Sequence, residues 1–121
     1  MKYYAGLDLG GTFIKCGIVS EEGEIIAKDK IPTNCNSCYD VARDAAAVVK
    51  ALCERTGVKV EAAGIGSPGT IDSEHGVVVY SNNLRWHNAP LAQAVEEATG
   101  LKTYVLNDAN AAALGESFCG A

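Results

Sequence analysis

Asp8-Leu9-Gly10-Gly11-Thr12, with Lys15 three residues on, concentrates residue types that can hold a phosphate chain and a cation. Glycine has no Cβ, so its main-chain N–H can come close to an anion. The Thr12 hydroxyl and the Lys15 ammonium add donors, and the Asp8 carboxylate is an oxygen ligand suited to a hydrated divalent cation. A plain Gly-Gly hairpin carrying a solvated acid is the alternative reading of the same turn. A Walker-type phosphate loop is absent from the sequence, and no helix is expected after these glycines, so a dinucleotide fingerprint is excluded as well.

Three further stretches carry chemistry. Ser67-Pro68-Gly69 follows an apolar run, which puts its main chain at a sheet end, where α/β proteins place ligands; an ordinary turn is the alternative. Asn83 offers an amide that both donates and accepts, while Trp86 reads as a packing residue rather than a stacking platform. Asn107-Asp108 stands where the last strand meets a helix, so its carboxylate points into a cleft, although either residue would also cap that helix. Cys35-Asn36-Ser37-Cys38 has metal-ligand spacing but no second pair and no nearby His, and reads as structural or incidental thiols. His75 and His87 are isolated and read as turn or surface residues.

The elements that must position these groups follow from periodicity. Tyr4–Leu9, Thr12–Val19 and Glu24–Ile31 read as three consecutive strands, the first two joined by the two-residue Gly10-Gly11 link. Ser37 with Asp40 resembles a capping box, and Val41, Ala45, Val48, Val49 and Leu52 then recur at helical spacing until Gly57. Val58–Gly66 is the next strand, and Ile71–Tyr80 is a small hairpin turning at His75-Gly76. Asn88 and Pro90 open a second helix that precedes Gly100; Lys102–Leu106 is the last strand, and an Ala-rich helix ends near Phe118. This order predicts an α/β domain whose mixed sheet has three antiparallel N-terminal strands followed by parallel strands, with flanking helices.

Composition agrees. The 121 residues suffice for one core, and 48% hydrophobic with 21% charged residues exclude disorder. Ten basic against fifteen acidic side chains leave a net charge of −5, which disfavours a nucleic-acid partner. No apolar run reaches the roughly 20 residues of a membrane span and no signal peptide is evident, so a cytoplasmic protein without a membrane partner is expected. Five cysteines, with Cys16, Cys53 and Cys119 in apolar segments, fit reduced buried thiols.

Four motifs, DLGGTFIKCGIV at 8–19, GIGSPGTID at 64–72, NLRW at 83–86 and LNDANAAALGE at 106–116, occur in the order in which they stand in the ROK family of sugar kinases. From about Tyr4 to its end the chain resembles that family, glucokinase-like members included. The resemblance implies an actin-like ATPase (ribonuclease H-like) fold, with residues 1–121 as the N-terminal lobe of a two-lobe kinase. It implies that Asp8, Gly10, Gly11 and Thr12 face the phosphates of ATP and Mg²⁺, with Lys15 at a position the family often fills with Lys. It places Gly66, Ser67, Asn83, Asn107 and Asp108 at the sugar, with Asp108 as the general base that takes the proton of the attacking hydroxyl. A zinc cluster, where the family has one, belongs to the second lobe, so no metal ligand set is expected in this chain beyond the Mg²⁺ site.

The function expected is therefore ATP-dependent phosphorylation of a hexose hydroxyl, of glucose or a related sugar. The 121 residues alone are expected to be inactive, and the complete protein to be a homodimer. A sugar-sensing regulator of the same family is the second reading; only seven residues precede Asp8, too few for a helix-turn-helix. Another kinase of the actin-like superfamily, for acyl groups or glycerol, is the third.

Overall fold

Alternation along the first strands decides the layering. In β1 (Tyr3–Leu9) Ala5, Leu7 and Leu9 are buried while Gly6 and Asp8 are exposed, and β2 (Phe13–Ser20) buries Ile14, Cys16 and Ile18 in the same rhythm. Side chains two residues apart share a face, so one face of the sheet is apolar and must be covered. The computed structural model describes residues 1–10, 12–34, 36–82 and 84–107. With β3 (Ile25–Pro32), β4 (Val60–Ser67) and β8 (Lys102–Asn107), these strands form a five-stranded sheet in the order β3-β2-β1-β4-β8. The pairs β1–β2 and β2–β3 are antiparallel, and β1–β4 and β4–β8 are parallel, as the sequence predicts.

The cover is helical. In α1 (Cys38–Thr56) the stripe Val41, Ala45, Val48, Val49 and Leu52 is buried, and each large side chain so removed from water contributes roughly 2 kcal/mol. Both ends are fixed by the expected residues: the Ser37 hydroxyl accepts the Asp40 amide at 3.1 Å, and Gly57, at φ 72°, donates its amide to the Cys53 carbonyl at 2.8 Å. The second helix, α2 (Leu91–Thr99), packs on α1 and buries Leu91, Ala92, Ala94 and Val95. No described helix is long and apolar enough to cross a membrane.

A second sheet, in the order β5-β6-β7, departs from the expectation. Its strands β5 (Thr70–Asp72) and β6 (Val77–Ser81) are the predicted hairpin, but β7 (Trp86–Ala89) is an additional strand. Asn88 therefore belongs to a strand, at φ 50°, and does not open α2. Pro90 holds the N-cap position without a side-chain hydrogen bond; the Ala92 amide instead donates to the Gly76 carbonyl at 3.0 Å, so the β5–β6 turn satisfies the start of the helix. Trp86 is 5% exposed and joins the core, together with Leu84.

Candidate functional site

The parallel strands β1, β4 and β8 run in one direction, so their C-terminal ends share one edge of the sheet. Register pairs Asp8 with Gly66, Gly66 with Leu106, and Ser67 with Asn107. Groups 58 and 98 positions from Asp8 in sequence thus meet it at a single edge, the end of an α/β sheet where ligands bind. On the other side of β1, Asp8 pairs with Lys15, and Lys15 with Lys30 of β3; Asp8 and Lys15 are both exposed.

The hairpin that carries the candidate phosphate groups is built tightly. β1 ends at Leu9 and β2 begins at Phe13, one residue later than expected, so Thr12 belongs to the turn. The Gly10 amide donates to the Phe13 carbonyl at 3.0 Å, which closes the hairpin and occupies that N–H. The amide therefore is not available to a phosphate, and the Thr12 hydroxyl and Lys15 are the donors left among the described predicted residues. A Cβ on Gly10 would lie 3.1 Å from that same carbonyl, so glycine is needed for the close approach.

A residue that no motif singles out holds this turn from behind. Thr33, half-buried just past β3, donates its hydroxyl to the Gly10 carbonyl at 2.9 Å and its amide to the Thr12 carbonyl at 2.9 Å. Twenty-three positions separate Thr33 from Gly10, and no local pattern links them.

The loop after β4 is less open than its sequence suggests. Gly66 and Ser67 are buried, and the Ser67 hydroxyl donates to the adjacent Pro68 carbonyl at 3.2 Å, while Gly69 and Thr70 are exposed. Gly69 sits at φ 107° against β6, where a Cβ would overlap the Tyr80 carbonyl and approach Ser81. That contact ties the loop to the segment carrying the NLRW motif. The Ser81 hydroxyl in turn accepts the Leu84 amide at 3.2 Å, and Arg85 follows at φ 58°. Gly11, Asn83 and Asp108, three of the predicted site residues, lie outside the described residues, as do Cys35 and Cys119.

The donors present fit a hydrated magnesium ion. Asp8 and Thr12, both exposed, offer oxygen at the end of the sheet, the donor type that suits this ion. Among the described residues no cluster of three or more His, Cys, Asp or Glu could hold a metal by itself. A concavity of about 830 Å³ runs along the open sheet face over β1, β2 and β3 and meets the site only at Asp8 and Lys15. Gly66, Ser67 and Asn107 do not line it, so it is not where the strand ends converge.

The other titratable groups are structural. Cys16 lies in the core of β2, and burial, with smaller contributions from Cys53 and Asp29, pushes its thiol up to about 12. Burial raises Cys38 and Cys53 as well, which makes all three poor nucleophiles. His75 bonds Asp72 through Nδ1 at 2.8 Å and holds that exposed carboxyl below its usual range, and the His87 ring meets Tyr80 edge-on at 5.1 Å.

Comparison with known proteins agrees with this architecture. The chain is 43% identical over 118 residues to a glucokinase of Thermotoga maritima, covering 96% of this chain and 37% of that protein. The structure superimposes with a TM-score of 0.84 on a ROK family glucokinase from Streptomyces griseus in complex with glucose and AMPPNP, at 39% identity over 98% of this chain and 37% of the other. A xylose repressor of Caldicellulosiruptor bescii is 33% identical, over 95% of this chain and 30% of its own length. The chain thus spans about a third of the length of these relatives. The fold is that of the actin-like ATPase kinases. With the ROK family matching residues 4–121, the chain belongs to the ROK family.

Proposed function

We propose that this chain is the N-terminal lobe of a two-lobe cytoplasmic kinase that transfers the γ-phosphoryl group of ATP to a hexose hydroxyl, of glucose or a close relative. The observation that carries the reading is the register Asp8–Gly66–Leu106, with Ser67 beside Asn107: the candidate phosphate-binding turn and the candidate sugar loop lie on one sheet edge.

On this reading the turn at Gly10–Thr12 and the Lys15 ammonium hold the phosphates. Asp8 holds Mg²⁺, which supplies positive charge against the phosphate oxygens. The loop at Gly66-Ser67, with Asn83 and Asn107, orients the sugar. Asp108 takes the proton from the hydroxyl as its oxygen attacks the γ-phosphorus and the bond to the β-phosphate oxygen breaks. Asp108 acts by orientation more than by basicity, as a loose phosphoryl-transfer transition state allows. The second lobe supplies the adenosine pocket and excludes water on closing, so the 121 residues alone have little turnover.

Asp108→Asn in the active kinase is the test. Turnover is expected to fall by about 10²–10⁴-fold while sugar affinity changes far less. Undiminished turnover would end the assignment. The 33% identity to a xylose repressor favours one second reading, a sugar-sensing regulator core. A panel of sugars with non-sugar acceptors as controls separates them: a kinase consumes ATP with one sugar class, and a regulator core binds sugar without turnover.

A further inference from the structure

Thr33 sits behind the hairpin rather than in it, and makes two bonds to it that no other described residue duplicates. Its hydroxyl donates to the Gly10 carbonyl and its amide to the Thr12 carbonyl, each at 2.9 Å. A peptide unit is planar, so a carbonyl that is held cannot turn about the chain freely. Two carbonyls, of Gly10 and Thr12, are held in this way from one residue. Glycine restrains the backbone least, so the Gly10 carbonyl gains more from a partner than that of any other residue type would.

Position in the fold supports an orienting role. Pro32 ends β3 opposite Phe13, at the same end of the sheet as the turn, so Thr33 is carried to the turn by the β2–β3 pairing rather than by its own flexibility. The half-buried site leaves the hydroxyl committed to Gly10 and puts the bond partly out of reach of competing water. The Gly10 amide, bonded to Phe13, is fixed as well, so the turn is restrained on both sides before any ligand arrives.

We propose that Thr33 is a positioning residue for polyphosphate recognition: its hydroxyl and amide hold the Gly10 and Thr12 carbonyls so that the Thr12 hydroxyl meets a magnesium-bound triphosphate without reorganisation. This inference rests on the phosphate-binding reading of the turn given above. Preorganisation strengthens binding by removing the ordering entropy that a loose loop would otherwise lose on contact. Thr33 itself touches no phosphate.

The test is a titration of the ¹⁵N-labelled chain with Mg²⁺–tripolyphosphate, followed at the Gly10 and Thr12 amides, for the wild type, Thr33→Val and Thr33→Ser. Valine keeps the shape and the main-chain bond but lacks the hydroxyl; serine restores it. Thr33→Val is expected to weaken binding by roughly tenfold, with Thr33→Ser within about twofold of the wild type. Thermal midpoints recorded alongside separate this from general destabilisation, which lowers the midpoint without changing affinity well below it. Equal affinity of the valine variant and the wild type would overturn the proposal while leaving the phosphate-binding reading intact. Absence of any response at these amides in the wild type would overturn that reading, and the proposal with it.

Discussion

Asp8 of β1 and Gly66 of β4 are direct neighbours across a parallel pairing, though 58 positions separate them in the chain. The acid that ends the first strand and the glycine that leads into the Ser67-Pro68-Gly69 loop therefore occupy one row of the sheet, with Leu106 the next residue along it. A ligand at this edge meets the exposed Asp8 carboxylate on one strand, beside the buried Gly66 on the next.

If Asp8 serves a hydrated cation and not the phosphates directly, its charge matters only when the cation is present. Asp8→Asn is expected to weaken binding of Mg²⁺–tripolyphosphate by at least about tenfold, and to leave binding of metal-free tripolyphosphate unchanged or stronger, because a repelling charge is gone. Calorimetric titration with and without Mg²⁺ reads both. Equal losses in the two titrations would remove Asp8 from the metal site.

Local signals made the hairpin strands and α1 legible: two-residue alternation, a Ser cap three residues before Asp40, and Gly57 in the left-handed region. What was missed came from tertiary structure. Strand β7 has four residues, two of them exposed, and is a strand because β6 lies beside it; Arg85 just before it and Asn88 within it take positive φ that those side chains do not choose alone. The start of α2 is satisfied by Gly76 from a distant turn, so the helix does not use Asn88 as a polar cap. At the site, the turn and the strand ends were readable from residue type, but the Thr33 bonds and the burial of Ser67 were not.

Gly69 joins the loop after β4 to β6. At φ 107° a side chain is strained, and a Cβ would overlap the Tyr80 carbonyl, a backbone atom that cannot swing aside. Gly69→Ala is expected to destabilise the chain by roughly 2 kcal/mol or more and to lower the thermal midpoint by roughly 5 °C or more. Calorimetric melting checks this, and an unchanged midpoint would mean that the loop stands away from β6.

The β5–β6 turn docks on α2 through one close pair. A Cβ at Gly76, which lies at φ 67°, would collide with the Ala92 methyl. Gly76→Ala and Ala92→Gly should each destabilise, the second by about 1 kcal/mol from helix propensity. The double variant should be more stable than the sum of the two changes predicts, because the collision is relieved. Strict additivity in denaturant unfolding would show that the turn and helix do not touch as described.

Cys16 gives stability an alkaline limit. Its ordinary pKa of 9.0 describes the unfolded chain, and burial, aided by Cys53 and Asp29, raises it to about 12 in the fold. Below pH 9 the thiol keeps its proton in both states and the contribution is fully present. As pH rises from 9 towards 12 the unfolded chain releases the proton first, so it binds fewer protons than the folded state and stability falls. Denaturant midpoints measured through this window should decline more steeply for the wild type than for Cys16→Ala. Comparing slopes removes the constant penalty of the lost sulfur and the ionisation of other groups common to both proteins. Equal slopes would mean that the thiol is reached by water and ionises in the folded chain near its ordinary value.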